Sequence, residues 1–277
     1  MVSQRYRVFL WTALLIFPSW LSLALLDPDP GSGVVETVAL GYFLGSLFGH
    51  TTVAAAWTAF GPGRLVWRLP LSLIWVASLV AALAINIGLN GGPRDTFAAI
   101  GVCLFGQWVL LQFPLWGLAL GYGLRLRHFE DADRGLNHRE HQFGIRQLLI
   151  VTTIVAVIFG IGRVAVGQLG ENLNLGRGEA PIFIFLAVAA IVFTLPLLLA
   201  ALMRQLAVPG VLLTLVLIGL ATASELPLLR AMLSGPGPKA GHFIAINAFT
   251  AAITLAVAVI VRLNGYSLAT PQSNGNQ

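Results

Sequence analysis

The stretch VETVALGYFLGSLFGHTTVAAAWTAF, residues 35–60, decides the class of this protein. It carries one charged residue, Glu36, near its start and one histidine, His50, deeper in. As a helix rising 1.5 Å per residue it reaches about 39 Å, enough to cross a hydrocarbon layer of about 30 Å. It stops at Gly61-Pro62-Gly63, a strong helix terminator.

The same grammar repeats on both sides. Apolar runs cover 8–26, from near 69 to before 90, 97–121, 148–168, 181–203, 208–229 and 243–261. Turn-forming clusters such as Asp27-Pro28-Asp29-Pro30 and Asn90-Gly91-Gly92-Pro93 separate them. The chain of 277 residues is 57% hydrophobic and 10% charged. Soluble domains carry about 25% charged residues, so this composition cannot clothe a water-facing surface. The expected fold is therefore all-α, a polytopic transmembrane helical bundle of about eight spans. Residues 1–123 form a first four-helix half, 124–147 a polar cytoplasmic linker, 148–264 a second four-helix half and 265–277 a polar tail. The first apolar run outlasts the h-region of a signal peptide, about 7–15 residues, and is read as an uncleaved span.

Basic residues give the orientation. Alternating the gaps places eleven on the N-terminal side (Arg5, Arg7, Arg64, Arg68, Arg125, Arg127, Arg134, Arg139, Arg146, Arg204 and Arg262) and five opposite. The richer side is cytoplasmic, so both termini are expected inside, in a bacterial cytoplasmic (inner) membrane. The net charge of +5 is spread over loops and forms no patch for nucleic acid. The single cysteine, Cys103, excludes an internal disulfide and lacks zinc-ligand spacing.

Gly41, Gly45 and Gly49 form a ridge with one glycine every fourth residue. Such a ridge lets a second helix approach closely, within the chain or across an oligomer interface. Ser46 and His50 stack on one face beside it, and Glu36 lies within about 80° of that face toward the outer end. Intramembrane ionisable groups are costly, which makes these residues a candidate polar site. His50 suits a proton relay, or equally a bond to a neighbouring helix. Glu225 is the one carboxylate well inside the later spans, with Thr222 on its face and Pro227 close behind. Arg163 is a candidate partner for it; the alternative is that both snorkel to water. Asn247, Thr250 and Thr254 share a face, and Asn86, Gln107 and Gln112 add polar groups in other spans. These line a polar path or serve as interhelical glue, with glue the favoured reading.

Between spans, His128, His138, Glu140 and His141 have no further ligands to complete a tetrahedral metal site. Nucleophile elbows, phosphate loops and paired catalytic groups are missing from the sequence, and no cofactor is expected. The two halves show no convincing internal repeat.

Gln142-Phe143-Gly144-Ile145-Arg146-Gln147-Leu148-Leu149, leading into Val151-Thr152-Thr153-Ile154, resembles a segment shared by many membrane proteins of planctomycete bacteria. There a Phe-Ser-Ile-Arg-x-Leu-Leu start enters an apolar helix; here Gly144 replaces the serine. Residues 57–64 and 67–72 resemble the same proteins. The resemblance implies lineage and membrane class and carries no activity.

The expected function is that of an integral membrane protein without enzymatic activity, a scaffold or a complex subunit. Its partners would be the lipid bilayer and a membrane protein or a second copy of itself, with no nucleic acid. The alternative is a small-solute or proton-coupled transporter using His50, Glu36 and Glu225. The two differ physically, because transport requires those side chains to converge on a wet cavity near mid-membrane.

Overall fold

The computed structural model describes residues 33–62, 65–90, 94–128, 179–203, 207–232 and 240–269, together with Leu21. Within them run α1 (Val34–Phe60), α2 (Leu65–Asn90), α3 (Arg94–Gly121), β1 (Arg125–His128), α4 (Glu179–Leu202), α5 (Ala207–Met232), α6 (Ala240–Leu263) and β2 (Tyr266–Ala269). The expected spans at 8–26 and 148–168 lie outside the described residues, as do Arg163, His138, His141 and both ends of the chain.

The described chain is all-helical apart from one strand pair. Four helical stretches are long and apolar enough to cross a membrane: Val34–Phe60, Leu65–Asn86, Ile100–Gly121 and Ala240–Leu263. Shorter apolar stretches, Val188–Leu202 and Val211–Ser224, lie in α4 and α5. Large apolar side chains cover the outside, among them Trp67 and Ile74 on α2, Phe113 on α3, and Leu212 and Leu215 on α5. Facing water these would be costly; facing lipid they cost nothing.

Several boundaries differ from the sequence reading, among them the start of α3 at Arg94 where 97 was expected. α2 begins at Leu65, before Pro70, and α5 runs through Pro227 to Met232. A proline lacks one N–H and frees one carbonyl of the preceding turn, a loss that neighbouring groups in a membrane helix absorb. α6 starts three residues earlier than expected, at Ala240.

Chain direction follows from short connections and specific contacts. The links between α1 and α2, α2 and α3, and α4 and α5 are far shorter than the roughly 36–42 Å length of these helices. Each of these pairs is therefore an antiparallel hairpin. α5 and α6 pack on each other, joined by Asn247 Nδ2 donating to Thr222 Oγ1 at 3.2 Å. α6 runs parallel to α1, because their contacts advance together: Gly241 with Thr37, Gly41 with Ala245, Gly45 with Phe249 and Gly49 with Ile253.

The helix bundle buries one continuous apolar core with α1 at its centre. α1 packs most extensively on α6 and next on α3, with α2 and α4 also touching it. At one end of the bundle β1 and β2 pair antiparallel, with Arg125 opposite Ala269 and Leu126 opposite Leu268. Residues 124–128 and 266–269, expected as parts of a polar linker and tail, thus form a small clasp. Each strand has four residues, too short to show an alternating pattern in the sequence.

Candidate functional site in the helix bundle

The glycine ridge faces α6. A Cβ built on Gly41 would collide with Ala245. On Gly45 it would lie 2.6 Å from Phe249 Cβ and 2.8 Å from the Ile246 carbonyl oxygen. On Gly49 the nearest atoms stand at 3.1 Å, both on Ile253. The two backbones therefore approach most closely at Gly41 and Gly45, where a backbone carbonyl cannot yield.

Polar side chains occupy separate places around α1. Gln107 of α3 donates through Nε2 to the Phe48 carbonyl at 3.2 Å and to Thr52 Oγ1 at 3.1 Å. Asn247 bonds Thr222 across α5 and α6. Thr250 and Thr254, on the same face of α6, donate back to Ile246 and Thr250 carbonyls of their own helix. Gln112 accepts from Trp116 Nε1 at 2.8 Å within α3. Asn86 is buried on α2.

Ser46 and His50 are 0% and 1% exposed. The His50 ring lies 6.2 Å, centroid to centroid, from the Trp75 ring of α2, tilted by 46°. Ser46 Oγ, both His50 ring nitrogens and Trp75 Nε1 are buried without a hydrogen-bond partner among the described residues. Glu36 sits fourteen residues before His50 on α1, about 21 Å away along the axis. Glu225 lies on α5 one turn beyond Thr222, and its side chain is outside the described set. The structure thus brings His50 to Trp75, with Ser46 one turn away on the same helix, and joins Asn247 to Thr222. It does not bring Glu36 or Asn247 to His50.

Arg68 is a structural residue that the sequence reading used only for orientation. Buried at the start of α2, it donates through Nη1 to the carbonyls of Gly61, at 2.6 Å, and Ala59, at 3.4 Å. A cation on the last carbonyls of α1 also complements that helix's dipole. The available signal was a basic residue seven positions after a Gly-Pro-Gly stop. Arg125 of β1 stands near enough for its charge to act on Arg68. Trp75 offered no comparable signal, because nothing local distinguishes it from the other tryptophans.

Among the described residues no three His, Cys, Asp or Glu side chains are grouped to hold a metal ion. No family model, curated protein or solved structure matches this chain.

Proposed function

We propose that the chain is an eight-span integral membrane protein of a bacterial cytoplasmic membrane, with both termini inside, acting as a scaffold or complex subunit without enzymatic activity. One observation carries the functional part: three polar side chains each reach across a separate helix contact. Gln107 meets Thr52, Asn247 meets Thr222 and Arg68 meets Gly61. Such bonds contribute about 0.6–2 kcal/mol each and specify which helices associate.

Chain direction agrees with alternating crossings among the described helices. α1, α3 and α6 point the same way, so His128 stands at the end of the bundle where these helices finish. The ends also agree with the arginine sorting. Arg68, Arg125 and Arg262 share the end with the clasp, and Arg94 starts α3 at the other.

The experiment is purification of the full chain from native membranes in mild detergent, with crosslinking and mass determination. The scaffold reading expects a stable assembly with a second copy or another membrane protein. A lone monomer whose proteoliposomes carry a proton or solute flux, abolished by His50→Phe with the fold retained, would reject it. That second reading, a proton-coupled transporter, is favoured by one observation. His50 lies near the middle of α1 with neither ring nitrogen engaged by the described residues.

A further inference from the structure

Buried polar atoms without partners among the described residues lie where His50 of α1 faces Trp75 of α2. Ser46 and His50 are one helical turn apart on the same face, with Cβ atoms about 5–6 Å apart by helix geometry. Trp75 comes to them from the antiparallel helix, its ring 6.2 Å from that of His50. None of Ser46 Oγ, His50 Nδ1, His50 Nε2 and Trp75 Nε1 has a hydrogen-bond partner among the described residues. Elsewhere on α1, Thr51, Thr52 and Thr58 each donate to a carbonyl of their own helix.

An unanswered buried polar atom costs about 1–3 kcal/mol, and native folds keep few of them. His50 and Trp75 place three of them side by side on two helices, with Ser46 Oγ one turn away, which marks a position where something polar is held. The chemistry of the four limits what that is. Trp75 Nε1 only donates; neutral His50 offers one donor and one acceptor; Ser46 offers both. A ligand that accepts from Trp75 and donates to His50 answers them. A halide or other anion without a proton cannot, because it has nothing to give the acceptor nitrogen of a neutral His50. A metal ion lacks a ligand set, because no three His, Cys, Asp or Glu side chains group together among the described residues.

We propose that Ser46, His50 and Trp75 form a binding site, midway along α1, for a neutral water-sized molecule that both donates and accepts hydrogen bonds. This goes beyond the scaffold reading and does not depend on it. Water is the ligand of that class present at high concentration, and a held water gives His50 a partner through which a proton can be exchanged at mid-membrane.

The test uses the full-length protein in lipid nanodiscs with 15N-labelled histidine. His50 ring signals are assigned by their loss in His50→Phe. Magnetisation transfer from water to the His50 nitrogens is then measured beside thermal unfolding of Ser46→Ala and Trp75→Phe. A filled site predicts clear water transfer to His50 in the wild type, loss of most of it in both variants, and a lower melting temperature for each. Dry, unanswered atoms predict the opposite sign, because removing an orphan relieves a cost. Absent transfer at His50, or a raised melting temperature in both variants, overturns the proposal. The melting temperatures of Ser46→Ala and Trp75→Phe report independently of whether His50→Phe folds.

Discussion

Single side chains in this protein matter through the space or the carbonyl they meet. At Gly45 an added methyl meets the Phe249 Cβ and the Ile246 carbonyl, and at Gly49 it meets the Ile253 side chain at 3.1 Å. Gly45→Ala is therefore expected to destabilise by about 1–3 kcal/mol and Gly49→Ala by clearly less, measured by equilibrium unfolding in mixed micelles. Gly45→Leu should lower folded yield more than His50→Ala does, scored by detergent size-exclusion chromatography. Wild-type yield for Gly45→Leu would refute the close α1–α6 contact. Arg68 works differently, through hydrogen bonds to the last carbonyls of α1. Arg68→Ala leaves them unanswered and should cost about 1–3 kcal/mol, whereas Arg68→Lys should recover part of that loss. The same unfolding measurement checks both.

Among elements, helix pairing is selective because lipid supplies no general hydrophobic drive between helices. α1 and α6 associate through a parallel ladder of small residues, to which α6 contributes Gly241 and Ala245. α1 and α3 associate through Gln107, so Gln107→Leu should cost about 0.6–2 kcal/mol in the same unfolding experiment. The clasp fixes the ends of α3 and α6 relative to each other, with Leu126 directly opposite Leu268. Directly opposed strand residues lie within disulfide reach. In a Cys103→Ser background, Leu126→Cys with Leu268→Cys should oxidise to an internal crosslink, detected by mass spectrometry. Leu126→Cys with Asn264→Cys should not. Equal crosslinking of both pairs would contradict the register.

For the whole molecule, the proposed topology makes a directional statement. Reporter fusions after His138 and after Gln277 should read cytoplasmic, and fusions near Gly176 should read periplasmic. A periplasmic His138 fusion would reverse the parity derived from the parallel α1 and α6 and the strand pair. The sequence was informative about this level in one respect only. Alternating arginines placed Arg68, Arg125 and Arg262 on one face, and the described helix ends fall in that same grouping. It was silent on the clasp, whose strands are too short to carry a pattern, and on which residues would surround His50.

By itself the sequence determined the apolar segments and the existence of a glycine ridge. Both are local properties, set by bilayer thickness and by a period of about four residues along one helix. Only the tertiary structure decided that the ridge meets α6 in parallel, that Arg68 caps α1, and that Trp75, and not Glu36, stands beside His50. Those facts depend on which helix surfaces interlock at close range. Inside lipid that choice rests on shape and a few hydrogen bonds between residues far apart in the chain, which no apolar pattern along one segment records.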